Sequence, residues 1–298
     1  MVALLVLIAA DYALSMWMRK AQHPNNEIWD EVMSGKIDAD VIALGSSRAN
    51  TSFYPAVIDS VLGTSSWNLG VLGHHFTTER LRYDMFRLHN RPPRLVVQFV
   101  DPMFFSSSNG FDRVQFLPWF WDRDFRNGVR KYFGIKYLVK NSFPFFRYHG
   151  FLPWEVSSIF RQTDRGFHTY NSDKEAPFVP TYKEPFQPEQ GMREIFVRMI
   201  TSLQEEGVSF VLVRSPEYES IDYEPGASEA LNDYMKSVSE ETGAPYLDYS
   251  QMAICSDSTC FIDIWHLNLK GAKAFSDTLA NDIKNIEKAG MLIQGSVQ

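Results

Sequence analysis

Val41-Ile42-Ala43-Leu44-Gly45-Ser46-Ser47-Arg48 is the stretch that decides how the chain reads. Four apolar residues lie between Asp40 and Gly45, the length and branching of a strand buried on both faces. Gly45 ends the run, because glycine tolerates backbone angles closed to other residues. Two hydroxyls and a guanidinium follow at once. A core strand thus delivers a polar cluster to its own carboxyl end, the edge where open α/β sheets bind ligands. Alone, Gly-Ser-Ser-Arg also fits a strand-to-helix turn capped by serine. A nucleophilic role for a serine there requires a base, an orienting acid and anion-stabilising amides from elsewhere in the chain.

Outward from this stretch the pattern alternates. Val57, Ile58, Val61 and Leu62 fall at helical spacing. Ser65 to Val71 reads as a second strand ending in the turn Gly70-Val71-Leu72-Gly73-His74-His75. Phe76 to Leu88 reads as a helix broken by Pro92-Pro93, and Leu95 to Val100 as a third strand stopped by Asp101-Pro102. After Pro188, Met192, Ile195, Phe196, Met199, Ile200 and Leu203 make a helical stripe. Val208 to Val213 and Pro245 to Tyr249 read as strands, with a helix between them. Ala272, Phe275, Leu279, Ile283 and Ile286 mark a final amphipathic helix. Such alternation predicts an α/β fold, a three-layer α/β/α sandwich on a parallel sheet of about five strands.

Residues 102–186 break the alternation. They contain no clear strand and hold more than half of the aromatics, densest in FLPWFW at 116–121 and FPFF at 143–146. Two readings stay open: an insertion with its own small core, or a groove beside the site where rings stack on sugars or acyl chains. The expected organisation is an apolar segment at 1–20 and a domain at 21–298 carrying this insertion.

The 298 residues carry a net charge of −7 and no dense basic cluster, which argues against nucleic-acid binding. Met1 to Met18 is apolar over about the minimum length of a membrane span, with Asp11 inside it and Arg19-Lys20 after it. It reads as an uncleaved anchor, with a signal-peptide core and a buried helix as alternatives. The trailing charges alone favour a cytoplasmic carboxyl-terminal domain. A basic stretch ahead of Met1 and an extracytoplasmic domain are expected instead. Cys255 and Cys260 suit a short disulfide loop outside a reducing compartment, or two small buried residues inside one.

Near the other end stands Asp263-Ile264-Trp265-His266-Leu267-Asn268. Asp263 and His266 are about one turn apart, so the carboxylate can hold one ring nitrogen and leave the other free to take a serine proton. Asn268 is a good helix cap, which would pin this loop. In a parallel sheet the loop lies at the same edge as the turn after the first strand. By itself, Asp-x-x-His also fits a surface turn. His74-His75 offers no metal site, since adjacent histidines diverge and no carboxylate or cysteine cluster joins them.

Three blocks in this order resemble the SGNH/GDSL hydrolases. Gly45-Ser46-Ser47-Arg48 resembles the nucleophile block, with Ser47 in the register of the family's serine and Ser46 as its rival. Asn68-Leu69-Gly70-Val71-Leu72-Gly73-His74 resembles the second block, in which the glycine matching Gly73 gives an N–H to the oxyanion. Asp263 to Asn268, followed by Gly271, resembles the block that supplies acid and base. The resemblance covers about 40–100 and 207–285. It is nearest in flavour to the membrane-anchored branch that includes proteins of D-alanyl transfer and alginate O-acetylation.

It implies a flavodoxin-like fold and a triad of Ser47, His266 and Asp263 without a cofactor or metal. The oxyanion donors would be the N–H groups of Ser47 and Gly73, and the substrate an acyl ester or an envelope glycan. A membrane-bound acyl-donor protein would be a partner. One block departs: the family's third block carries an oxyanion-binding asparagine, and here the strand ends Phe99-Val100-Asp101-Pro102. An ionised Asp101 would repel an oxyanion, and losing one donor costs about 3–4 kcal/mol in the barrier. Arg48 and Arg214 are substitutes by position, and Asn68 and Asp101 are further candidate contacts. The departure also fits a non-catalytic glycan-binding or assembly protein on a degenerate hydrolase fold.

Overall fold

The computed structural model describes residues 2–20, 24–73, 75–105, 114–143, 146–148, 163–168, 183 and 185–292. The chain divides into two compact units. One comprises Asp38–Phe76, Pro92–Asn109 and Thr163–Gln298, and the other Met1–Ile37, Thr77–Arg91 and Gly110–Gln162.

The first unit is built on a five-stranded sheet. Its strands are β1 (Val41–Leu44), β2 (Ser66–Asn68), β3 (Leu95–Phe99), β6 (Ser209–Arg214) and β7 (Tyr246–Asp248), in the spatial order β2-β1-β3-β6-β7. Every neighbouring pair is parallel. Counted within this sheet, the order is 2-1-3-4-5, the flavodoxin-like doubly wound arrangement. The α/β class and parallel sheet expected from the alternation are therefore what the chain forms. β1, β3 and β6 are buried throughout, as strands covered on both faces must be. Side chains alternate across each strand. Val41, Ala43, Leu95, Val97, Phe99, Val211 and Val213 meet Ile58 of α4 (Pro55–Leu62) and Phe275, Leu279 and Ile283 of α9 (Leu269–Lys288). Helices α7 (Met192–Glu205) and α8 (Ala227–Thr242) supply the other layer, burying Phe196, Met199, Ile200, Leu231 and Met235.

A short antiparallel pair, β4 (Thr163–Asp164) and β5 (Phe167–His168), also belongs to this unit. The Asn68 N–H donates to Arg165 O at 2.9 Å. Gly110–Gln162 fall in the second unit, whereas Pro92–Asn109 and Thr163–Gln298 fall in the first.

The second unit contains α1 (Val2–Lys20), α2 (Pro24–Ser34) and all of α5 (Phe76–His89) beyond its first residue. A 3-10 turn at Val114–Trp121, α6 (Arg123–Ser142) and a 3-10 turn at Phe146–Tyr148 complete it. Its aromatics form a core, with Trp29 edge-on to Phe116 at 4.8 Å and to Phe125 at 5.8 Å between ring centroids. Helix α1 is long and apolar enough to cross a membrane. Its one acidic residue, Asp11, is buried and paired with Arg147. Trp121 Nε1 donates to Asp11 at 2.9 Å, and Ser15 and Tyr148 share a 2.5 Å hydroxyl contact beside the pair.

Candidate active site

β1 ends at Gly45, whose φ of +145° favours glycine. Space demands glycine as well, because a Cβ there would lie 2.7 Å from Phe99 Cβ and 2.9 Å from Ala49 Cβ. The turn leads into α3 (Ser47–Ser52), capped by Ser46, whose side chain accepts from the Arg48 N–H. Between Val41 and Asn50, Ser47 alone is partly exposed and every neighbour is buried. One hydroxyl therefore reaches the surface from a rigid seat.

The second half of the site is the loop before α9. Asp263 Oδ1 accepts from the N–H groups of Trp265 at 2.8 Å and His266 at 2.9 Å, which folds the loop back on its own carboxylate. Asn268 caps α9 through the Gly271 N–H and donates from Nδ2 to Thr259 O at 2.8 Å, so the loop is held at both ends.

These two pieces meet. His266 Nδ1 lies 2.7 Å from Asp263 Oδ2, and His266 Nε2 lies 2.7 Å from Ser47 Oγ. The carboxylate accepts from Nδ1–H, which leaves Nε2 to accept from the serine hydroxyl. Burial pushes the Asp263 carboxyl upward. The His266 ring beside it and the two loop N–H groups outweigh that and hold it below the ordinary carboxylate range. Asp263 is thus an anion that orients an imidazole, and the imidazole can take the Ser47 proton.

The rival serine is disposed of by its partner. Ser46 Oγ donates to Asp101 Oδ2 at 2.5 Å and accepts from the Arg48 N–H. Asp101 also accepts from the N–H groups of Met103 and Phe104 at 3.0 Å each. Its carboxylate serves the turn after β3 and the Ser46 hydroxyl.

Three further candidates have structural roles. Asn68 is fully buried, donates to Ala49 O and Phe53 O at 2.8 Å, and accepts from the Gly70 N–H, so it binds β2 to α3. Arg48 and Arg214 are buried and both engage Glu217, Arg214 at 2.9 Å. Arg214 also donates to Ser228 and Asn232. Both guanidiniums are engaged by the same carboxylate. Gly73 sits in the turn after β2 with φ of +68°, and a Cβ there would meet nothing, so its backbone angle alone calls for glycine. His74 lies outside the described residues. His75 contacts Met103 O through Nδ1 at 2.8 Å, and no metal-binding cluster occurs among the described residues. Cys255 and Cys260 are free buried thiols with separate partners, Tyr249 O and Asp257.

Glu217 was not legible in advance as part of this region. Burial pushes its carboxyl up, but Arg48 and Arg214 outweigh that and hold it below the usual range. It takes one guanidinium from the residue after Ser47. Its neighbour Tyr218 donates its N–H to Ile264 O, inside the Asp263–His266 loop, at 3.1 Å. Adjacent residues therefore brace both halves of the site. The available sequence signal was position alone: Glu217 follows β6 at the same rim.

No protein-family model matches the chain, and no curated protein matches it. Solved structures do, among them a protein of Streptococcus pneumonia provisionally described as a platelet activating factor. It aligns at 11% identity and a TM-score of 0.44 over 93% of this chain and 99% of that one. At that level the likeness assigns no chemistry; the fold stands on strand order and pairing.

Proposed function

We propose that the chain is an SGNH-type serine esterase or O-acyltransferase acting on acyl esters, with Ser47 as nucleophile, His266 as base and Asp263 as orienting acid. The observation that carries this reading is the unbroken relay from Asp263 through His266 to Ser47, with both links at 2.7 Å. In the first step Ser47 Oγ bonds to the ester carbonyl carbon as its proton passes to His266 Nε2. The N–H groups of Ser47 and Gly73 receive the oxyanion. The C–O bond to the leaving alcohol then breaks, and His266 returns the proton to that alcohol. Water, or a hydroxyl of an envelope glycan, attacks the acyl-serine with His266 again as base, which restores Ser47.

The protein of this reading is anchored, with its site outside the cytoplasm beside a membrane-bound acyl donor; the length and apolar character of the N-terminal helix support the anchor. The contacts of that helix also support its retention, because cleavage after α1 would strip Arg147 of Asp11 and Tyr148 of Ser15. A buried guanidinium left unpaired is strongly destabilising. The test is labelling of the full chain with a fluorophosphonate probe. Wild type is labelled and Ser47→Ala is not; equal labelling of the two sinks the reading.

Asp101, standing where the family places an asparagine donor, favours a second reading: a glycan-binding or assembly protein without turnover. That reading requires glycan affinity in a chain that neither reacts with the probe nor loses cellular function on Ser47→Ala.

A further inference from the structure

Helix α6 changes character at Gly134. There the backbone leaves the helical region, with φ of 82° and ψ of 168°, so the residues after it run along a new axis. Before the break, α6 buries Phe125, Gly128 and Val129. After it, the large apolar side chains point outward: Ile135 is 54% exposed, Val139 50% and Phe143 60%. At i, i+4 and i+8 these three form one stripe, with half-buried Leu138 at its side. The opposite side faces the protein: Asn141 is buried, donates to Tyr137 O at 2.9 Å, and accepts from Arg147.

Charge separates this stripe from an ordinary surface. Arg123 to Ser142 contains Arg123, Arg126, Arg130, Lys131, Lys136 and Lys140 against the single anion Asp124, in a chain of net charge −7. Lys131 is held by Asp84. Lys136 and Lys140 flank the apolar stripe, and neither has an ion-pair partner among the described residues. An exposed aliphatic and aromatic line edged by unpaired lysines suits the boundary of an anionic bilayer, with stems lying on the acyl region and ammonium groups reaching the headgroups.

The location agrees. Arg147, which donates to Asn141 O, also pairs with Asp11 midway along α1. The α1 residues on the amino-terminal side of Asp11 present Val2, Leu4, Leu5, Val6 and Leu7 outward. The α6 stripe therefore ends beside the level at which α1 becomes a bare apolar helix.

We infer that Ile135–Ser142, with the residue that follows it, Phe143, is an interfacial segment that docks on an anionic phospholipid surface through Ile135, Val139 and Phe143, with Lys136 and Lys140 on the headgroups. The inference rests on α1 entering a membrane and is independent of the chemistry proposed at Ser47. The experiment places a fluorophore on Val139→Cys, and separately on Phe143→Cys, in the full chain. The labelled chains are reconstituted into vesicles of phosphatidylcholine with or without phosphatidylglycerol.

In the anionic vesicles, lipid-borne nitroxide quenches both labels and aqueous iodide does not. Lys136→Gln with Lys140→Gln lowers the docked-to-undocked ratio by about thirty-fold. Labels equally open to iodide in vesicles and in detergent overturn the inference, as does quenching indifferent to phosphatidylglycerol. Val139→Cys cross-linking between copies without lipid quenching overturns it by naming a second copy as the occupant. Failure of the full chain to enter vesicles removes the anchor reading along with it, whereas vesicle insertion with unquenched labels removes the α6 assignment alone.

Discussion

Arg48 and Glu217 are 169 residues apart in the chain and meet as a buried ion pair beside Ser47. Because Tyr218 holds the Asp263–His266 loop, this pair sets the register between nucleophile and base. Glu217→Gln keeps the shape and removes the charge that two guanidiniums share. Breaking such a buried arrangement costs about 3–5 kcal/mol, measurable by urea unfolding. In the folded fraction, fluorophosphonate labelling slows by about tenfold or more, since an ångström of misplacement has effects of that order. Labelling at the wild-type rate in the folded, destabilised variant limits Glu217 to stability.

Acid should unfold the sheet unit through the same carboxylates. Asp263 and Glu217 are both held below their ordinary values. A depressed carboxylate contributes stability that is complete above its unfolded value and lost as pH falls through its folded value. Stability is therefore flat near neutrality and declines as pH drops below about 4. Glu217→Gln and Asp263→Asn each flatten that decline, which unfolding curves at a series of pH values will report.

Placing an amide at Asp101 should not raise activity. The carboxylate faces Ser46 Oγ and the N–H groups of Met103 and Phe104. Asp101→Asn replaces one acceptor by a donor at that contact and costs about 1–3 kcal/mol. The labelling rate at Ser47 stays within about twofold, with a lowered unfolding midpoint. A large gain in rate would mean the amide swings toward the oxyanion.

The Asp11–Arg147 pair makes a prediction in the other unit. Arg147→Met takes the counter-charge from a buried carboxylate that Trp121 Nε1 still contacts, and costs about 3–5 kcal/mol, seen as faster proteolysis of the full chain. Asp11→Leu added to Arg147→Met recovers much of the loss. Mass analysis of the mature protein finds α1 present; an amino terminus beyond Ser15 would refute retention.

Strands and helices of the sheet unit were readable because their apolar spacing is local, and burial on both faces leaves little freedom in β1, β3 and β6. Ser47, Asp263 and His266 were readable because a rim residue, a one-turn spacing and a cap each carry a geometric meaning. Arg48, Asn68, Asp101 and Arg214 were not, because residue type does not say which way a side chain points. Asn68 turned inward to α3, and both arginines turned to one glutamate, three residues from Arg214 and 169 from Arg48. The aromatic stretch hid α6, whose stripe serves different surroundings on either side of Gly134. Cys255 and Cys260 allowed two readings because spacing alone does not orient two thiols.

The hairpin of β4 and β5 has a consequence for how the molecule survives among its own copies. β2 is a border strand, and bare borders recruit foreign chains into growing fibrils. Here the Asn68 amide is already satisfied by Arg165 O, Asn50 donates to Gly166 O, and Arg165 reaches Asp59. The hairpin acts as a selvedge, and unravelling it would be felt first as precipitation.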